Sequence, residues 1–380
     1  MLIAMAAGAC DQRPYLGVIA MKSVRPVLGL LAVLFASAAA SGELVNYEMV
    51  VVGDAGNVND TRASSFGTFH GAVPYEYRIG KFEVTLGQYT AFLNAVARTD
   101  TYGVYRPQMG DTPAVAGIAR SGIDGAFMYT VIGPIGLAPV GASSADSRPI
   151  ASVTWFDAAR FANWMANGQP SGLQLDSTTE EGAYSLNGLI SGAPPTRNAV
   201  NPNTGLPVSH YIPTENEWYK AAYYKGGSVN AGYWAYATQS DTPPGNLLGS
   251  LPNQANYSAL NAGGPRYAVT QSNSFSLSQN YLSDVGAYAG SPSAYGTFDQ
   301  VGNVWEWTDE LSGSLRTLRG GVWDSVGGSY LQSVPFNPAA TSGYDGFRLA
   351  APVPEPSTYA MALAGLACGG CSMFSRRKRA

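Results

Sequence analysis

Along residues 85–98, TLGQYTAFLNAVAR, apolar side chains return every three or four positions, so that Leu86, Tyr89, Leu93 and Val96 share one face. That spacing predicts a helix, and Thr85, whose hydroxyl can accept a first-turn N–H, is its natural N-cap. Residues 154–167, TWFDAARFANWMAN, begin on Thr154 with Asp157 three positions on, a pair able to exchange hydrogen bonds across the first turn, and Gly168 follows as the stop. Residues 214–225, TENEWYKAAYYK, set Thr214 against Glu217 in the same way and close on Lys225 and Gly226. The runs YEMVVVG (47–53) and YRIGKFEVT (77–85) read as strands. The stretches 100–148, 168–209 and 226–295 are rich in Gly, Ser, Asn and Pro, and no repeat is evident. Helices and strands do not alternate regularly, which argues against a doubly wound parallel sheet. The pattern predicts one α+β domain with a high loop content.

The two ends of the chain follow a different pattern. Met21 opens a segment with Lys22 and Arg25, then the apolar run VLGLLAVLF (27–35), then ASAAAS (36–41), the order of a secretory signal peptide over 21–41. Residues 1–20 lack that order and are read as an extension before the natural start. At the other end, 358–374 carries no charge and is followed by Arg376, Arg377, Lys378 and Arg379. A helix over this run would reach roughly 25 Å, at the short limit for a membrane span, with the basic cluster on the cytoplasmic side. Pro354-Glu355-Pro356, the apolar run and the basic end together resemble the PEP-CTERM sorting signal of Gram-negative bacteria. The resemblance implies handling by an exosortase-type transpeptidase and delivery to the cell surface or extracellular matrix. The expected division is therefore 1–20 extension, 21–41 signal peptide, 42–351 folded domain and 352–380 sorting segment.

Charge and cysteine content narrow the function of the body. Residues 43–350 hold 15 Lys and Arg against 24 Asp and Glu, a net charge of −9. Phosphate binding needs a basic face, so a nucleic-acid partner is disfavoured. The three cysteines, Cys10, Cys368 and Cys371, all lie in the end segments. The body therefore has no disulfide and must be held by its core, with or without a metal.

Four segments carry a resemblance. IGKFEVTLGQYTAFLNA (79–95), RPIASVTWFDAARFANWMA (148–166), IPTENEWYKAA (212–222) and the series YGTFDQVGNVWEWTDE, LRGGVW and GFRLA within 295–350 resemble, in order and spacing, the sulfatase-modifying factor family, whose catalytic founder is the formylglycine-generating enzyme. The resemblance covers roughly residues 45–350. It implies a variant of the C-type-lectin fold, loop-rich, with few helices and small antiparallel sheets. The family's enzyme oxidises a protein cysteine with oxygen, using copper(I) held by two thiolates. Copper(I) is soft and accepts two-coordinate thiolate binding, whereas a hydroxyl is hard and stays protonated. Counting without gaps from Arg319-Gly320-Gly321 places Val322 at the family's active-site serine and Ser325 and Tyr330 at its two cysteines. No cysteine occurs from Val322 to Ala350, so copper is not expected. A second branch of the family uses histidine-bound iron, but this chain has only His70 and His210.

DQVGNVWE (299–306) supplies what a calcium loop needs: Asp299 and Glu306 carboxylates, a tight turn at Gly302, and carbonyls of Gly302 and Val304. The resemblance implies a calcium site at these same four positions and a second beginning at Asn256-Tyr257. The competing reading makes Trp305 and Trp307 core and Glu306 a buried hydrogen-bond partner. Either way the site is structural. Arg319 and Arg348 are expected to pair with acids or carbonyls beneath the loops, and Glu217 to cap a helix.

Two functions follow. One is a non-catalytic surface protein that displays or binds ligand, with exopolysaccharide or cell-surface glycan as partner and Trp155, Trp234 and Trp323 as candidate stacking surfaces; burial of those rings is the alternative. The other is an oxidoreductase acting on a protein cysteine, as the resemblance implies, or another enzyme using acids such as Asp309 or Asp324.

Overall fold

The computed structural model describes residues 44–64, 67–133, 145–326 and 333–354. These lie in the unit Gly42–Ala380. The expected signal peptide, the expected sorting segment beyond Pro354, and Tyr330 all fall outside the described residues. Among the described residues no helix is long and apolar enough to cross a membrane; the expected spanning run, 358–374, lies outside them.

The elements run β1 (Met49–Val52), β2 (Tyr77–Gly80), α1 (Leu86–Val96), α2 (Gln108–Asp111), β3 (Ile118–Ser121), β4 (Met128–Val131), α3 (Trp155–Ala166), α4 (Glu215–Tyr223), β5 (Ser258–Asn261), β6 (Gly264–Tyr267), β7 (Trp305–Ser312), β8 (Leu315–Arg319), β9 (Val334–Phe336), β10 (Asp345–Gly346) and β11 (Ala350–Pro352). The strands form a three-stranded sheet β1-β2-β11, a four-stranded sheet β10-β7-β8-β9 and two hairpins, β3-β4 and β5-β6. All pairings are antiparallel except the short β10–β7 contact. The fold is α+β and loop-rich, as the sequence pattern predicts.

The three long helices start where their caps predict. Thr85, Thr154 and Thr214 each accept the N–H of the residue three positions on, and Gln88, Asp157 and Glu217 return the bond. The third helix stops at Tyr223, with Tyr224 already extended, two residues before the predicted end at Lys225. There the chain turns to pair Tyr224 with Tyr233 instead. The predicted strands are shorter than read, 49–52 and 77–80, because pairing in the three-stranded sheet ends at Gly80.

One core joins α1, α3 and the first sheet. Tyr89, Phe92, Phe161 and Phe347 form a ring cluster with centroid separations of 5.3 to 6.4 Å. Helix α3 is buried on every side, including Asp157 and Arg160. Arg160 is tolerated because Glu180 meets it through two hydrogen bonds, at 2.8 and 2.9 Å.

Candidate functional site

In the WEW strand β7, residues 306–308 are buried. Trp307 is fully buried and its indole N–H donates to the Val153 carbonyl at 3.0 Å. Glu306 points the other way along the strand and is also fully buried. Its carboxylate accepts two bonds from Arg348, Nε to Oε2 at 2.6 Å and Nη2 to Oε1 at 2.7 Å. The Trp218 indole N–H adds a third, to Oε2 at 2.8 Å. Arg348 spends its other donors on the carbonyls of Gly80 at 3.0 Å and Phe298 at 2.9 Å. Arg319 likewise meets Glu215, with Nε to Oε1 at 2.7 Å. Both arginines therefore do what the sequence reading expects of them.

The two segments expected to hold cations meet here. Gly302 forms a bridge with Asn256, and the Asn303 N–H donates to the Asn256 carbonyl at 2.8 Å. Asp299, Gly302 and Asn303 all have positive φ, +63°, +85° and +61°, so the chain makes a tight left-handed turn. Asp299 accepts the Gly286 N–H at 2.6 Å. Burial raises its carboxyl to about 6, against the opposing pull of that hydrogen bond and Arg348. Glu83 completes the cluster. It accepts from the Asn303 amide at 3.2 Å, and its second oxygen lies 3.8 Å from Arg348 with no hydrogen-bond partner. Burial and the neighbouring Asp299 carboxylate push Glu83 well above the usual range.

Two buried carboxylates, Glu83 and Glu306, and the partly buried Asp299 thus surround one guanidinium, a surplus of negative charge that a cation would relieve. The set is not a closed cage. Glu306 already holds Arg348 with both oxygens, and no group of three or more His, Cys, Asp or Glu side chains among the described residues is arranged to hold a metal. Calcium at this loop would draw on Asp299 and the carbonyls of Gly302 and Val304 and would compete with Arg348 for Glu306. At the other segment, the Asn256 amide donates to the Tyr281 carbonyl and to Asn303, at 2.9 and 3.0 Å. The Tyr257 carbonyl is taken by Asn246 at 3.2 Å.

The segment after Gly321, to Ala350, carries no cysteine. Val322 is buried, and its N–H donates to the Ser325 hydroxyl at 2.9 Å. The Ser325 carbonyl accepts from Ser258 at 3.0 Å, so Ser325 closes a turn. Asp324 beside it is exposed, and partial desolvation raises its carboxyl above the usual range. Asp309 lies elsewhere, buried against Arg316 at 2.8 Å. His70 and His210 have separate neighbours: Thr68 at 2.7 Å for the first, Ser209 at 3.2 Å for the second. Burial and Arg78 lower His210 to about 4.

The sequence pattern of the sulfatase-modifying factor enzyme 1-like domain family matches residues 37–353. The chain belongs to this family. The match extends a few residues beyond the expected 42–351 at both ends. The sulfatase-modifying-factor-like chain is also similar to three solved structures, each 20% identical in sequence. They are CarF (82% of this chain, 100% of that one, TM-score 0.44), Treponema denticola variable protein 1 (81% and 96%, TM-score 0.45) and PvdO from Pseudomonas aeruginosa (81% and 95%, TM-score 0.42). No curated protein matches.

In this sulfatase-modifying-factor-like domain two of the expected stacking tryptophans are core. Trp155 is fully buried beneath the Arg316 guanidinium, 4.4 Å from its ring centre. Trp323 is buried in a stack with Tyr281 at 4.5 Å. Trp234 is half-buried, with the Lys225 ammonium 4.3 Å from its ring centre. Sequence reasoning overlooked Glu83, which sits inside a quoted motif but looks like an ordinary strand residue until the fold buries it.

Proposed function

We propose that this chain is an exported bacterial surface or matrix protein whose family domain binds or builds rather than oxidises. One observation carries this reading: the two positions expected to hold thiols are Ser325 and Tyr330, within a body that contains no cysteine. A serine hydroxyl stays protonated near neutral pH and does not bind copper(I) as a thiolate does. The ligand class proposed is exopolysaccharide or cell-surface glycan. A structural calcium at Asp299, Gly302, Val304 and Glu306 is part of the same reading, supported by the surplus of carboxylates around Arg348. The ends of the chain support sorting by an exosortase-type enzyme. The test is mass spectrometry of a Cys-X-Pro-X-Arg peptide incubated with the protein, copper and oxygen. No aldehyde is expected. Aldehyde formation would overturn the non-catalytic reading in favour of a formylglycine-generating oxidoreductase.

A further inference from the structure

We infer that the groove between the Tyr75–Tyr77 segment and the 195–208 loop is a binding site for a neutral sugar chain. The inference rests on the glycan-binding reading above and assigns it a place and a chemistry. The groove has a volume of ≈ 320 Å³ and is lined by Tyr75, Tyr77, Arg197, Pro207, Val208 and Tyr211, with Glu76 also on its wall. That is the lower end of the roughly 300–1,000 Å³ typical of small-molecule sites. It lies apart from the Glu306–Arg348 cluster and from the Val322–Ser325 turn, none of which lines it.

Its walls are fixed by bonds unrelated to any ligand. The 195–208 loop closes through a Val200–Pro207 bridge and is tied down by Asn201 donating to the Ala166 carbonyl at 3.1 Å and Arg316 to the Pro195 carbonyl at 2.7 Å. Tyr211 exchanges backbone bonds with Ala350, at 2.9 and 2.7 Å. The Tyr75 and Tyr211 hydroxyls both donate to Glu217 Oε1, at 3.1 and 2.9 Å, which sets their rings.

Arg197 lies over the Tyr211 ring at 3.7 Å, and its Nη1 is out of solvent with no hydrogen-bond partner. No ion pair of Arg197 occurs among the described residues. A charged N–H group left without an acceptor costs free energy. Arg197 as a whole is half-buried in the groove wall, so part of its side chain faces the groove. Tyr75 is 43% exposed and offers a ring, and Glu76 is an exposed carboxylate acceptor. A sugar ring needs this combination: an apolar face for its C–H groups, a donor and an acceptor for hydroxyls that serve as both. Charge decides between neutral and acidic sugars. Glu217 is the foremost electrostatic partner of Arg197 and offsets its charge. Glu76 stands at the same groove, and the body carries −9, so a polyanion would be repelled.

The test is affinity electrophoresis of the full chain in gels holding the producing bacterium's exopolysaccharide, split by anion exchange into neutral and acidic pools. Retardation by the neutral pool alone is expected. Arg197→Met and Tyr75→Ala should each weaken it at least tenfold. Phe275→Ala, on an exposed ring outside the groove, should leave it near wild type, and Tyr75→Phe, which keeps the ring but loses the bond to Glu217, should weaken it less than Tyr75→Ala does. Unchanged melting temperatures show that the variants fold. Wild-type retardation retained in both groove variants overturns the assignment of the site while leaving glycan binding intact. Retardation by the acidic pool alone overturns the neutral-sugar assignment. No retardation by either pool overturns the glycan reading, and this inference with it.

Discussion

Arg348 grips Glu306 through two parallel hydrogen bonds, both side chains wholly removed from water. The pair joins the WEW strand to the GFR segment 42 residues later. Through its remaining donors Arg348 also holds the end of β2 and the turn at Phe298. Losing one partner would leave an uncompensated buried charge, a loss of about 3–5 kcal/mol. Arg348→Met is therefore expected to destabilise the protein by that amount. Arg348→Lys keeps the charge but not the fork and should fall between the two. Urea midpoints of the three proteins check this; a loss below about 1 kcal/mol for Arg348→Met would show that the pair does not hold the core together.

Gly302 has a second reason to be glycine besides its φ of +85°. A Cβ there would lie 1.9 Å from the Asn256 carbonyl oxygen. At Gly313, φ +68°, a Cβ would meet nothing within 4 Å. Left-handed backbone alone costs a non-glycine residue roughly 1–2 kcal/mol. Gly313→Ala should lose about that much and Gly302→Ala clearly more. Equal losses in thermal melts would mean that the Asn256 contact yields easily.

How far these features could be read in the chain depends on how local their causes are. The caps at Thr85, Thr154 and Thr214 are exchanges within four residues, and the sequence displays both partners. Strand β7 was not legible: its burial runs three residues in a row rather than alternating, because Glu306 is held inside by Arg348 and Trp218 from distant parts of the chain. The same holds for the groove. Tyr75, Arg197 and Tyr211 are far apart in sequence, and only the docking of the 195–208 loop brings them together. The missing thiols were legible because they depend on residue type alone.

Removing calcium should destabilise the protein if Asp299 and Glu306 share a cation with the Gly302 and Val304 carbonyls. A chelator is expected to lower the melting temperature of the wild type and added calcium to restore it. Asp299→Ala should melt at one temperature with or without chelator. A wild-type melt that ignores the chelator would leave Glu83, Asp299 and Glu306 to be balanced by Arg348 and protons.

Asp309 predicts a pH dependence. Its carboxyl is drawn down by Arg316 at 2.8 Å and pushed up more strongly by burial, to about 7 from 3.8. The folded state then holds this proton more tightly than the unfolded chain does. Stability contributed by the group is present below about pH 4 and is lost as the pH rises through about 7. Asp299, raised to about 6, acts in the same direction. Asp309→Asn removes only the first share, so its stability should fall less than that of the wild type between pH 4.5 and 7.5. Urea midpoints at the two pH values measure the difference. An equal fall in both proteins would mean that Asp309 is already ionised at pH 4.5, with the Arg316 pair overcoming burial.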